Sequence, residues 1–255
     1  MTRQLSLLGS FVSPDGSEIN YQLAAPVLYL LDLVLPSVPT QTVRAYYLRT
    51  IPSLLAVLDA GANTHAEGST AVARSAIGAI ETLLVAQDFA AWKSRDENCV
   101  HRVFTGYIMG SGTDTRPKVR KRALDAVKNV LENLPASPSA IHPAAEEGAL
   151  IAFHTVEGQF GQRKGRGKEG SEKESTAVHS LHLLKTVALA ISWPKGKVRE
   201  LVELLLKLSS ESYDDNVRLS ALEVFQVIFT QASEEMDATR LKEVLEVPLS
   251  PLKND

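Results

Sequence analysis

The chain has 255 residues, a formal charge of −3, few aromatics and one cysteine, Cys99. That balance excludes a uniformly basic nucleic-acid binder and an intrachain disulfide framework, and it fits a reducing compartment, cytosol or nucleus. No apolar run approaches the roughly 20 residues of a membrane span; the longest, residues 24–35, is broken by Pro26 and Asp32, and no basic stretch followed by an apolar core marks a secretory signal.

Residues 1–20, with Gly9, Pro14, Asp15 and Gly16, read as a loosely ordered lead-in. Residues 21–35 are periodic and mostly apolar, and Pro36 and Pro39 close them. Thr40 opens the next helix, with Val43, Tyr47, Ile51 and Leu54 at helical spacing. Pro52 is expected to split it, leaving a second helix over 51–58. Residues 61–69, GANTHAEGS, are loop chemistry, and a helix follows over 70–86. A shorter helix over 96–109 should end at the glycines of 110–112.

The most informative stretch is 114–134, DTRPKVRKRALDAVKNVLENL. Asp114 or Thr115 should cap this helix, with Pro117 in its first turn. At 100° per residue, Val119, Ala123, Ala126, Val127, Val130 and Leu134 share one face. Lys118, Lys121, Arg122, Asp125, Lys128 and Glu132 share the other. Arg120 falls on the flank of the apolar stripe, where a charge must find a partner or snorkel outward.

Leu134-Pro135 and Ser137-Pro138 stop that helix, and the next runs from His142 or Pro143 to about Val156. Residues 158–175, GQFGQRKGRGKEGSEKES, are poor in apolar residues and read as a flexible charged insertion. Helical patterns resume over 176–192, 198–208 and 217–230, the last two as an antiparallel hairpin, and 239–247 begins a further unit. Pairing gives roughly ten helices in four to five hairpins with no strand pattern, so residues 1–255 read as one all-α segment of a longer protein.

The segment 213–229, YDDNVRLSALEVFQVIF, repeats the phrase at 114–134, without a gap from the Val-Arg pair onward. Val119, Ala123, Ala126, Val127 and Val130 correspond to Val217, Ala221, Val224, Phe225 and Ile228, and Arg218 corresponds to Arg120. Asp114 precedes one copy, and Asp214 and Asp215 the other. Val43-Arg44 and, one register off, Arg74 are weaker echoes. Arg74, Arg120 and Arg218 lie 46 and 98 residues apart, one step and two steps of about 49; repeats of this kind run about 40 to 47 residues, and the excess is assigned to the charged insertion. An acidic turn, Val-Arg and an apolar helix resemble the second helix of a HEAT repeat. That resemblance implies a HEAT/armadillo-like α-solenoid of helical hairpins. It also implies a hydrogen-bonded ladder from repeat to repeat, in which Arg120 and Arg218 meet the turn aspartates Asp114 and Asp214.

Two basic groups are candidates for RNA or partner contact: Arg116, Lys118, Lys121, Arg122 and Lys128 in the helix, and Arg163, Lys164, Arg166 and Lys168 in the insertion. Against them stand a solvated helix face and a surface linker. The glycine-lysine pattern near Lys168 fails the phosphate-loop spacing, and no nucleophile elbow is present. Cys99 and His101 point apart on a helix, and His179 and His182, at i and i+3, read as packing residues rather than a metal pair. No catalytic, metal or cofactor site is expected.

The strings TDTRPKVRKRALDAVKNVL and HSLHLLKTVALAISWPKGKVRELVELLLKLSS, with the continuation YDDNVRLSALEVFQVIF, resemble the ribosomal RNA-processing protein twelve family, over roughly 113–229. The resemblance implies a non-enzymatic nucleolar scaffold associating with pre-ribosomal particle proteins and pre-rRNA. It implies support for rRNA processing and for nuclear export of pre-ribosomal subunits, with a Ran-type GTPase or transport factors as further partners, shuttling to the cytoplasm, and no membrane or small-molecule substrate. The alternative is a karyopherin-like receptor or adaptor that binds protein cargo rather than RNA.

Overall fold

A computed structural model describes residues 19–61, 66–94, 99–135, 141–161, 170–194, 197–210 and 213–234. The helices fall into two compact units, residues 1–143 and 144–255. The expected lead-in and the unit expected over 239–247 lie outside the described residues, apart from residues 19 and 20.

In the first unit α1, Tyr21–Val34, starts on Asn20, whose side chain accepts from the Leu23 N–H at 3.3 Å, and it runs into a 3₁₀ turn, Leu35–Ser37. The next helix, α2, is Thr40–Gly61, unbroken by Pro52. This corrects the expected split. Pro52 is solvent-exposed, so water can solvate the Leu48 carbonyl that loses its N–H partner. Helix α3, Ser69–Val85, follows Gly68, whose left-handed backbone (φ 87°) suits glycine. A short α4, Phe89–Lys93, was not legible in the sequence; Asp88 caps it through the Ala91 N–H at 2.9 Å. The helix expected over 96–109 starts later, as α5, Val100–Val103, and passes through a π turn, Phe104–Ile108, into α6, Met109–Ser111. Gly110 stays helical, and Gly112 is the cap.

Helix α7, Pro117–Glu132, buries Val119, Ala123, Ala126, Val127, Val130 and Leu131. Leu134, expected on that face, lies past the helix end and is 48% exposed. The cap is Arg116 rather than Asp114 or Thr115. Asp114 acts two residues earlier, accepting the Arg116 N–H at 2.8 Å, because Pro117 has no N–H to offer a capping side chain. Helix α1 packs on α3, α2 on α3, and α3 on α7. Fully buried Leu28, Ile51, Leu54, Ile77, Ile80, Leu83, Leu84 and Phe104 fill the core between them.

The second unit holds α8, Ala145–Gly161; α9, Gly170–Ala190; α10, Val198–Leu208; and α11, Asp215–Glu234. Helix α8 packs on α9, α10 on α11, and α9 on α11. The insertion expected over 158–175 is therefore narrower. Residues 158–161 finish α8, with Phe160 buried edge-on against Tyr213 at 5.5 Å between ring centroids, and residues 170–175 begin α9. The chain is all-α, with second helices stacked on second helices, as a HEAT/armadillo-type α-solenoid requires.

Candidate nucleic-acid interface

The five cations at 116–128 share a sequence but not an environment. Arg116 is only 9% exposed. Its Nε and Nη2 donate to Asp114 at 3.0 and 2.8 Å, and its Nη1 donates to the Gly61 carbonyl at 3.1 Å. The Asp114 carboxylate holds this guanidinium firmly protonated, above its already high ordinary pKa. Arg116 thus ties the turn before α7 to the end of α2 and is withdrawn from any ligand, which corrects its place among the candidates.

Arg122 is also diverted. Its guanidinium pairs with Glu81 of α3 and approaches Asp32 of α1, with Nη2 4.0 Å from Oδ1. Asn129, one face along α7, donates to the same Glu81. The sequence assigned Arg122 to an open cationic face, but its side chain is only a quarter exposed. Burial raises the Asp32 pKa; the Arg122 charge offsets part of that rise, and the Glu81 charge adds to it. This polar clasp joins three stacked helices. It passes over Gly78, where a Cβ would stand 2.6 Å from Asp32 Cγ and 2.7 Å from Arg122 Nη2. Two signals for it were in the sequence: an aspartate inside an apolar run, and a glycine inside an apolar helix.

The expected ladder takes a different course. Arg120 donates to the backbone carbonyls of Asp114, at 2.6 Å, and Thr115, at 3.4 Å. Arg218 donates to the Ser209 carbonyl at 3.4 Å and pairs with Asp215, rather than Asp214, at 2.9 Å. Asp214 accepts the Asn216 N–H at 2.8 Å, as Asp114 accepts that of Arg116. Both arginines thus brace the turn before their own helix, and the link from repeat to repeat in the first unit runs through Arg122 and Arg116. The reason is reach. A flank arginine near a helix start meets the carbonyls of its own turn first.

What remains open on α7 is Lys118 and Lys121, both exposed and without an ion-pair partner among the described residues. Lys128 is exposed and 3.8 Å from Glu132, a weak i, i+4 pair. Arg163, Lys164, Arg166 and Lys168 lie outside the described residues. Phe160, the aromatic beside them, is buried and cannot stack on a base.

An open groove of about 560 Å³ lies between α9 and α11 of the second unit. Lys185 and Glu223 bridge it at 2.8 Å, and Leu189, Gln226 and Thr230 line it. The groove offers polar and apolar surface without net charge. No group of three or more His, Cys, Asp or Glu fit for a metal ion occurs among the described residues. Cys99 is buried and free.

The chain matches the family described as RRP12-like, N-terminal HEAT repeats, over residues 6–236. It is similar to Ribosomal RNA-processing protein 12 of Saccharomyces cerevisiae, at 31% identity over 94% of this chain and 20% of that protein. It is similar to the human RRP12-like protein at 31% identity, over 80% of this chain and 15% of that one. A putative ribosomal RNA-processing protein 12 of Schizosaccharomyces pombe is 24% identical over 88% of this chain and 18% of its own length. The chain therefore spans about a fifth or less of the length of these curated relatives.

Proposed function

This chain belongs to the RRP12-like family of N-terminal HEAT repeats, and on that premise we propose that it is a non-enzymatic scaffold of ribosome biogenesis. It holds pre-ribosomal particle proteins along its helix faces and pre-rRNA through cationic side chains, in the nucleus and nucleolus. In this reading it supports rRNA processing and the export of pre-ribosomal subunits, meets a Ran-type GTPase or transport factors in doing so, and shuttles to the cytoplasm. The observation that carries the reading is the family match over most of the chain. Lys118 and Lys121, exposed and without an ion pair among the described residues, give it a physical means, since such a lysine exchanges a loose counterion for an RNA phosphate.

Lys118→Glu with Lys121→Glu tests it. Neither side chain makes an internal bond among the described residues, so helicity should stay at the parent level. Binding to a pre-rRNA fragment should fall by about tenfold or more at low salt and lose part of its salt dependence. Undiminished, salt-insensitive binding refutes the role of this face.

The second reading, a karyopherin-like receptor or adaptor for protein cargo, draws support from the charge of −3 and from the neutral groove between α9 and α11. Binding to a Ran-type GTPase without RNA retention would select it.

A further inference from the structure

We infer that Arg74 of α3 joins Lys118 and Lys121 of α7 in one cationic row that crosses two successive repeats and takes the phosphates of a single-stranded RNA. The inference rests on the RNA-binding reading above and adds a residue and a chemistry to it.

The register of the two helices carries the argument. Arg122 lies beside Gly78, and Glu81, three residues on, meets both Arg122 and Asn129. Those pairings align α3 and α7 side by side, running in the same direction. Arg74 is four residues before Gly78, and Lys118 is four residues before Arg122. One helical turn toward both N-termini therefore sets Arg74 level with Lys118. Packed helices lie about 8–10 Å apart, a gap that two long, flexible cations can close around one phosphate or bridge between two.

The charges in this row are available. Arg74, Lys118 and Lys121 are all exposed, and none has an ion pair among the described residues. Across the α3–α7 seam, the carboxylates of Asp32 and Glu81 are engaged by Arg122 in the clasp, and Asp125, one turn on from Lys121, forms no ion pair among the described residues. Arg74 is close enough to Asp32 to favour its charged form, yet forms no ion pair with it. The clasp thus occupies Asp32, Glu81 and one arginine, leaving Arg74 and Lys118 one turn away and Lys121 next to Arg122 in the chain. Arg74, Lys118 and Lys121 offer no ring for a base to stack on. The row should read phosphate without sequence preference.

The test is fluorescence anisotropy of the 255-residue chain with a labelled oligouridine of about 20 nucleotides, between about 50 and 200 mM salt. Arg74→Gln and Lys118→Gln should each weaken binding by about threefold or more, and each should reduce the slope of log affinity on log salt by about 0.7. Arg74→Lys, which keeps the charge, should retain the parent slope. Lys207→Gln, at an exposed position of α10 in the other unit, should match the parent. Circular dichroism confirms that each variant is folded.

If Arg74→Gln binds as the parent does while Lys118→Gln is weakened, the row across repeats is wrong and the RNA reading survives. If the parent fails to bind oligouridine at the lowest salt, both fall. If a glutamate-rich peptide binds in an Arg74-dependent way and oligouridine does not, the row serves an acidic protein partner and the proposal is overturned.

Discussion

Replacing Gly78 with alanine separates the clasp from ordinary helix packing. In a helix interior, Gly→Ala normally stabilises by about 1 kcal/mol, because alanine loses less backbone entropy on folding. Here the new methyl would stand 2.6 Å from Asp32 Cγ and 2.7 Å from Arg122 Nη2, so each neighbour must retreat by about 1 Å to reach ordinary contact. Arg122 can swing aside on its long side chain and keep Glu81. Asp32 has a short side chain, so α1 must withdraw from α3 and loosen the packing of Leu28 and Leu31. Overpacking of this kind costs about 1–3 kcal/mol. The net expectation is a loss of about 1 kcal/mol where the propensity rule forecasts a gain of that size. Urea titration reads it, with Trp92 fluorescence in a Trp193→Phe background, so that the single remaining tryptophan reports the first unit. In an Asp32→Ala background, which removes the main obstacle, Gly78→Ala should turn neutral or stabilising. A gain of about 1 kcal/mol in both backgrounds would show that the clasp does not cross Gly78 as described.

Two further outcomes follow from the same structure. His142 is buried edge-on against Trp92, 4.5 Å between ring centroids, and burial, with a smaller contribution from His101, lowers its pKa from 6.5 to about 4. A depressed folded-state pKa favours the neutral ring, so its contribution is full above pH 6.5 and is lost as pH falls through about 4. His142→Phe should therefore flatten the pH dependence of stability over that window, by about 3 kcal/mol at most; identical slopes in parent and variant would contradict the assignment. Pro52→Ala should restore the bond to the Leu48 carbonyl within one continuous α2 and stabilise by about 1–2 kcal/mol, the helix gain less the lost stiffness of the unfolded chain. Unaltered stability would favour two separate helices.

Several features were legible before any coordinates. Helical periodicity placed the buried face of α7, because a 3.6-residue repeat leaves one stripe with no option but the core. The repeated Val-Arg phrase marked two second helices, and both arginines do brace acidic turns. Proline was a weaker guide: Pro52 sits inside a helix because it is exposed and the Leu48 carbonyl it leaves without a donor can be solvated, which a linear reading cannot see. The insertion was overdrawn for a related reason. Glycine and charge at 158–161 and 170–175 read as loop, yet Phe160 anchors one end in the core.

Sequence by itself determined the helical class, the stacking face of each repeat and the supply of cations near the start of α7. Tertiary structure decided which cations are free. Lys118, Lys121 and Arg122 are near neighbours along the chain, but a guanidinium that meets a carboxylate on an adjacent helix, as Arg122 does, is already satisfied, whereas an ammonium facing water is not. That distinction depends on Asp32 and Glu81, residues about 90 and 41 positions away from Arg122. Only the packing of α1, α3 and α7 brings them together.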